Sequence, residues 1–536
     1  MNFHDLLAQH VTAAPQRVAF YDERTAWTYE ALDREVDRVA RLLHAAGARE
    51  GDRLALWMPN AISWLSTFLA CARLGIAVVA VNTRFRENEV SQLLELGQCQ
   101  WLAVWPEFKR LPFAEILASI DACTLRRLRG ILAVGPAHDL HSHMREVPLL
   151  AYDAMPELAS LEGVAPAADT AGAIVYTTSG TTSAPKLVLH SQGGLITHGR
   201  TAATAYGIDG SSVVLLAAPL CGAFGFSTAV SSLAAGATLV SSPVFQADQT
   251  VRQIVDHRVN HIFANNELID LLLREVEGQA HPFPSLQYVG FASFAPALDD
   301  LQERALRLGL PIAGLYGSSE LQALAAGHRL DTPWEHRRLP GGALVSPEAR
   351  VRAVDLETGR ALPHHVPGLI EIRAPSLMDE YLGNPEATRQ AFSDDGYFRT
   401  GDLGFTLDER TFVFQGRRGD YLRLGGFLVN PLEIESFIER LVGVQACQVV
   451  GAQHLGKLVP VAFVIPKEGH EVSETAIIEH CRQAMARFKV PQRVIGIEAF
   501  PVVRSANSNK IQRSRLQQMA AELLGCAPST CNDVRS

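Results

Sequence analysis

Lysine is scarce in this chain. Of 48 basic residues only six are lysine: Lys109, Lys186, Lys457, Lys467, Lys489 and Lys510. A lysine kept inside a hydroxyl- or glycine-rich loop therefore stands out as a chemical requirement rather than a generic positive charge. Basic excess is missing too. The 57 acidic residues outnumber the 48 basic ones, which argues against a nucleic-acid or anionic-membrane surface. The eight cysteines show no C-x-x-C and no metal-ligand spacing, so a reduced, cytoplasmic setting is expected. The start, Met1-Asn-Phe-His-Asp-Leu-Leu7, has no basic region ahead of an apolar core, and no signal peptide is expected. Charge disappears altogether between Gly210 and Ala247. Pro219, Gly222, Gly225 and Gly236 punctuate that stretch, so it reads as buried strand, short helix and buried strand rather than as a membrane span.

The most informative stretch is Tyr176-Thr-Thr-Ser-Gly-Thr-Thr-Ser-Ala-Pro-Lys-Leu-Val188. An apolar segment, Ala173–Tyr176, reads as a buried strand. The loop after it carries Thr177, Thr178, Ser179, Gly180, Thr181, Thr182 and Ser183, and ends near Lys186. Hydroxyls and backbone N–H groups can wrap phosphate oxygens while a lysine supplies a point charge. It is not a Walker A loop, because Lys186 is followed by Leu187 and not preceded by glycine. A Ser/Thr-rich surface turn has the same composition.

Strand and helix signals alternate from residue 1 to about 330, the pattern of a parallel sheet. Strands are expected at Arg53–Trp57, 76–81, 101–104, 261–264, 288–292 and 311–316, with helices at 29–46, 191–206, 267–277 and 297–309. From 340 to 415 glycine and proline become frequent and strands appear without helices between them, which predicts a β-rich subdomain. A small α/β unit follows. Asn430-Pro-Leu-Glu433 opens a helix as N-cap, first-turn proline and N3 glutamate. The fold class is thus α/β: a large N-terminal domain of α/β layers with a β-rich subdomain, then a small mobile α/β C-terminal domain. The boundary is placed at 1–419 and 420–536.

Other stretches carry candidate chemistry, each with a plain structural alternative. Leu315-Tyr-Gly-Ser-Ser-Glu320 follows a predicted strand, where open α/β sheets place ligands. Tyr316 offers a ring and Glu320 an oxygen for a hard cation, though a polar turn would look the same. Asp402 follows a glycine and can accept from the two hydroxyls of a ribose, or cap a turn. Gln415-Gly-Arg-Arg-Gly-Asp420 lies where the character of the chain changes and suits a hinge. Gly425 and Gly426 allow close backbone approach, or simply a tight turn. Lys510 sits in a polar loop.

Together these stretches resemble the adenylate-forming superfamily of acyl-CoA synthetases, carrier-loading adenylation domains and luciferases, from about residue 10 to 520. The phosphate loop is matched at 176–186, and the aromatic–Gly–x–hydroxyl–Glu motif at Tyr316–Glu320, with Ser319 in the usual threonine position. The ribose aspartate resembles Asp402, and the hinge motif resembles Gly416, Arg417 and Asp420. The V-x-P-x-E-I-E segment is matched by Val429–Glu435, and the G-K-I-x-R segment by Lys510, Ile511 and Arg513. Ser183 and Asn509 replace glycines of the pattern, and Pro219-Leu-Cys-Gly222 replaces its Pro-Leu-aromatic-His segment.

The resemblance implies an ATP-dependent carboxylate–CoA ligase, with ATP, Mg²⁺ and coenzyme A. Lys510, Thr178 and Glu320 would be catalytic, and Glu320 would also hold the metal. Thr177, Thr178, Ser179, Gly180, Thr181, Thr182, Lys186, Ala292, Ser293, Tyr316, Gly317, Ser319, Asp402 and Arg417 would bind ATP. Arg423, Gly425 and Gly426 would flank the thiol, with Asp420 as hinge. Cys221, Gly222, Phe224, Ala313 and Gly314 would line a roomy acyl pocket suited to a bulky aromatic, alicyclic or medium-chain acid. A free-standing enzyme that loads a carrier protein is the second reading, and a degenerate nucleotide-binding non-enzyme the third. No nucleic acid and no integral membrane segment is expected, and a homodimer is compatible with the resemblance.

Overall fold

The structure is a computed structural model. It describes every residue except 23–24, 109–110, 138–139, 141–146, 155–160, 179–184, 293–300, 419–421, 425–426, 430, 456, 505–508 and 525–536.

Apolar runs bounded by turn residues become the strands of two large sheets. One has a parallel centre, with strands Ile312–Tyr316, Tyr288–Ala292, His261–Asn265, Val213–Leu215, Thr238–Ser241 and Val18–Asp22 side by side. The other centres on Gly172–Thr178, Ala77–Ala80, Arg53–Trp57 and Trp101–Val104, also parallel. Helices Gln192–Tyr206 and Ala223–Ala235 pack on each other. One continuous apolar cluster joins residues of both sheets, such as Leu54, Ile174 and Tyr176 with Val214, Leu239 and Ala313. The charge-free 210–247 stretch is strand, helix, strand, as its punctuation predicts.

The β-rich region is present, and the structure refines it in three ways. Its strands Gly341–Leu344, Thr411–Arg417, Phe398–Thr406, Gly368–Arg373 and Arg350–Val354 extend the first sheet in antiparallel fashion, through Ala326–Gly327. Its short strand Glu380–Tyr381 crosses to the edge of the other sheet, against Lys186–Ser191. It also contains a helix, Pro385–Ala391, where strands without helices are expected. Asn384 caps it and Pro385 starts it, the same start as at Asn430-Pro431 in the sequence.

Beyond residue 430, strands Val444–His454 and Lys457–Pro466 pair antiparallel, and Arg493–Gly496 adds in parallel. Helix Pro431–Glu439 begins at the expected proline, while Asn430 lies outside the described residues. Its apolar face packs inward, with Ile434 and Ile438 buried and Phe437 and Leu441 partly buried against them. Leu422 and Val429, from the hairpin Leu422–Leu424 and Phe427–Val429, join that same cluster.

Candidate active site

Three neighbouring strands deliver the first group of candidate residues. Tyr316 closes its strand, and Asp402 and Arg417 stand directly opposite each other on adjacent antiparallel strands. The Tyr316 hydroxyl donates to Asp402 Oδ2 at 2.6 Å, and Arg417 Nε lies 3.1 Å from Asp402 Oδ1. Burial and the neighbouring carboxylate hold the Tyr316 hydroxyl well above its ordinary pKa, so it stays a donor. Asp402 is buried at 4% side-chain exposure, whereas Arg417 is 58% exposed. An internal carboxylate is thus presented beside an accessible guanidinium. Ala292 ends the neighbouring strand, and Ser293 lies outside the described residues.

After Tyr316 the chain turns sharply. A Cβ at Gly317 would overlap the Ala323 carbonyl, so only glycine fits there. Gln322 and Ala323 both take the left-handed region, at φ 56 and 58°. For side chains other than glycine that conformation costs energy. Two bonds hold it: Gln322 Nε2 donates to the Ser376 carbonyl at 2.9 Å, and Ser227 Oγ donates to the Gln322 carbonyl. This fixed turn presents Ser319 and Glu320.

The candidate phosphate-binding residues enter from the other sheet. Thr178 and Lys186 are cross-strand partners at the mouth of a hairpin, and Thr177 pairs with Leu187. Ser179, Gly180, Thr181, Thr182 and Ser183 lie outside the described residues. Tyr381, which no sequence motif singles out, links Lys186 to Glu320. Tyr381 pairs with Val188, two residues along from Lys186. Its hydroxyl donates to Glu320 Oε1 at 2.9 Å, and Lys186 Nζ lies 4.6 Å from its ring centroid. Burial and the Glu320 carboxylate raise the Tyr381 pKa, so this hydroxyl also stays protonated. Backbone bonds run along the same seam: Met378 N–H donates to the Glu320 carbonyl at 2.9 Å, and Leu382 N–H to the Leu187 carbonyl at 2.7 Å.

His190, on the Lys186 strand, is a second unforeseen contributor. Its Nε2 lies 2.8 Å from the Ser319 carbonyl. A carbonyl only accepts, so Nε2 carries the proton. Burial pushes the His190 pKa down to about 4. Burial, then His190 nearby, pushes that of His198 down to about 3. Both rings are neutral in the folded protein near pH 7, while in the unfolded chain each gains a proton near pH 6.5. Their stabilising effect is therefore complete above about pH 6.5 and is lost as the pH falls toward 4. At pH 5 the loss is about 2 kcal/mol per histidine. We expect the thermal midpoint to fall between pH 7 and 5, and the fall to be smaller in His190→Gln; an equal fall in both proteins would contradict this.

Three of the proposed acyl-pocket residues, Cys221, Gly222 and Phe224, follow one turn, and two, Ala313 and Gly314, lie on the strand Ile312–Tyr316. Asn60 holds the turn, with Nδ2 donating to the Ala218 carbonyl at 3.0 Å and Oδ1 accepting from Leu220 N–H at 2.7 Å. Cys221, Gly222 and Phe224 follow and are buried, as is Ala313. Gly314 points to the opposite face of its strand. A Cβ there would overlap the Leu339 carbonyl, so its small size serves close packing of that backbone.

In the C-terminal part, two motifs are clamped together. Arg513 donates to both oxygens of Glu435, at 3.0 and 3.2 Å, and Glu435 also accepts from Val449 N–H at 2.7 Å. Arg513 follows the strand Asn509–Ile511, in which Lys510 pairs with Val503. Arg423 pairs with Leu428 in the neighbouring hairpin. Asp420, Gly425 and Gly426 lie outside the described residues.

Lys186, the turn that carries Glu320, and the buried Asp402 beside the accessible Arg417 are thus delivered by strands of two sheets and the turn after one of them. A family model described as AMP-binding enzyme matches residues 7–382, most of the chain. The chain belongs to the AMP-binding enzyme family. A second model, the AMP-binding enzyme C-terminal domain, matches residues 433–507. Named relatives of this AMP-binding enzyme are acid–CoA ligases. A long-chain-fatty-acid–CoA ligase of Mycobacterium tuberculosis is 28% identical over 506 residues, covering 92% of this chain and 94% of the relative. An indoleacetate–CoA ligase of Aromatoleum aromaticum is 28% identical over 538 residues, covering 97% and 98%. Among solved structures, o-succinylbenzoate coenzyme A synthetase of Bacillus subtilis in complex with AMP has a TM-score of 0.77 at 25% identity, covering 96% of this chain and 98% of that one. The predicted adenylate-forming family and its two-part α/β fold are therefore borne out.

Proposed function

We propose that this AMP-binding enzyme is an ATP-dependent carboxylate–CoA ligase acting on a bulky aromatic, alicyclic or medium-chain acid. The observation that carries the proposal is the delivery of Lys186, Glu320, Asp402 and Arg417 by strands of two sheets and the turn after one of them, in a chain of this family. In the first step a carboxylate oxygen bonds to the α-phosphorus of ATP, the α–β phosphoanhydride bond breaks, and pyrophosphate leaves. In the second a CoA thiolate bonds to the acyl carbon and AMP leaves. Both reactants of the first step are anions, so positioned cations and donors matter most.

Thr177, Thr178 and the 179–182 segment, with Lys186, would take the β- and γ-phosphates. Tyr316, with Ala292, Ser293, Gly317 and Ser319, would border adenine, and Asp402 and Arg417 would hold the ribose. Lys510 would bridge the carboxylate and the α-phosphate. Among the described residues no group of three or more His, Cys, Asp or Glu is placed to hold a metal. One partly exposed carboxylate, Glu320, instead suits Mg²⁺ arriving with ATP, since Mg²⁺ keeps its waters and binds through one or two carboxylates plus substrate phosphates. Bound there, Mg²⁺ would neutralise charge on the departing pyrophosphate.

Domain alternation completes the reading. Residues 420–536 would swing against 1–419 about Asp420, exchanging Lys510 for the Arg423–Gly426 loop at the thiol's path. Cys221, Gly222, Phe224 and Ala313 would border the acid, the smallness of Gly222 leaving room for a ring or alicycle. Among the described residues no helix is long and apolar enough to cross a membrane. The six described cysteines are free, and a reducing, cytoplasmic location would suit them.

The test is acyl-CoA formation, read by mass, across aryl, alicyclic and short- to long-chain acids. We expect turnover with bulky or medium-length acids and little with acetate. A preference for acetate would overturn the pocket assignment, and acyl-AMP that CoA fails to discharge would turn the acceptor toward a carrier protein.

A further inference from the structure

Lys186 and Glu320 come from different sheets and carry opposite charges, yet they do not pair. Among the described residues Lys186 makes no ion pair; its ammonium lies over the face of Tyr381, 4.6 Å from the centroid. Glu320 takes the hydroxyl of that same tyrosine at 2.9 Å. One side chain thus occupies both charges, the cation on its ring face and the anion at its polar tip.

The backbone places it there. Lys186 and Val188 project to the same face of their strand, and Tyr381 is the cross-strand partner of Val188. Lys186 is therefore the diagonal neighbour of Tyr381, within reach of a long side chain. Tyr381 is itself held: its N–H donates to Thr388 Oγ1 at 2.9 Å, on the helix Pro385–Ala391 that Asn384 caps. It is 4% exposed.

We propose that Tyr381 is a positioning residue that keeps the Lys186 cation and the Glu320 carboxylate apart and aimed before Mg·ATP arrives. This rests on the nucleotide reading given above. A direct Lys186–Glu320 ion pair would cancel the two charges that the triphosphate and its cation need. A cation–π contact is weak beside a salt bridge to a polyphosphate, so the ring releases Lys186 when phosphate enters. The hydroxyl engages only Oε1 of Glu320 and leaves Oε2 for a cation.

Equilibrium binding of a non-hydrolysable ATP analogue, with no acid present, tests this. Tyr381→Phe keeps the ring and removes the hydroxyl. We expect analogue affinity in EDTA to stay within about twofold, and the Mg²⁺ concentration that half-restores tight binding to rise about tenfold. Tyr381→Leu removes both contacts, and affinity in EDTA should also fall about tenfold as Lys186 is drawn onto Glu320. Adding Glu320→Gln to Tyr381→Leu should then restore the metal-free affinity, an outcome that loss of packing alone would not give. An unchanged Mg²⁺ midpoint in the near-isosteric Tyr381→Phe, or no rescue by Glu320→Gln, would overturn the inference while the nucleotide reading stands. Failure of the unmodified protein to bind the analogue would overturn both.

Discussion

Replacing Lys510 by alanine should reduce acid-dependent pyrophosphate release by on the order of 10²–10³-fold, the size of effect seen when one positioned transition-state donor is removed. Charge sets the requirement. A carboxylate must approach a triphosphate, and a compact ammonium can touch both at their meeting point and later withdraw. The fold gives this lysine a firm base. Lys510 lies on a paired strand, and three residues on Arg513 is locked to the buried Glu435 by two hydrogen bonds. ATP affinity should change by less than about fivefold, because the bridging contact belongs to the transition state. Preformed acyl-adenylate should still be converted to acyl-CoA at near the unmodified rate, since in the proposed domain alternation Lys510 would have left the site by then. Single-turnover assays of the two half-reactions check this. Equal loss in both would mean that Lys510 holds the small domain together rather than acting in adenylation.

Asp402→Ala should weaken ATP binding by on the order of 100-fold or more, since two hydrogen bonds from ribose to a charged acceptor would be lost together. It should also destabilise the fold. Asp402 is nearly fully buried and accepts the Tyr316 hydroxyl at 2.6 Å, so alanine strands a buried donor at a cost of about 1–3 kcal/mol. Asp402→Asn keeps the volume and one acceptor, so its thermal midpoint should lie between those of the other two proteins. Calorimetric ATP titration and thermal melts separate the effects. A normal ATP affinity in a well-folded Asp402→Ala protein would remove this residue from the nucleotide site.

Much of this was readable in the sequence because it is local. The alternation of strands and helices to residue 330, the helix starting at Pro431 and the glycine-punctuated 210–247 stretch follow from period, cap and turn chemistry over a few residues. The candidate residues likewise announce themselves by type: a lysine where lysines are few, an acid after an aromatic–glycine turn. Tyr381 does not. It sits on a two-residue strand and owes its place to pairing with a strand nearly 200 residues away, a fact of tertiary register rather than of local pattern. His190 escaped for a similar reason, since its partner is the Ser319 carbonyl and main-chain acceptors leave no mark on a sequence. The helix Pro385–Ala391 has a legible start, Asn384-Pro385, but it is short and lies in a stretch whose glycines, prolines and strands predict β structure. Gly314 shows the opposite limit: glycine implies space, but only the structure shows that the Leu339 backbone fills it.

The most direct test of acyl-adenylate formation is exchange of labelled pyrophosphate into ATP, measured with each acid in turn and no CoA. We expect exchange that depends on a bulky or medium-length acid and on Mg²⁺, and that Lys510→Ala lowers by on the order of 10²–10³-fold. Tight ATP binding with no exchange for any acid in the panel would contradict this.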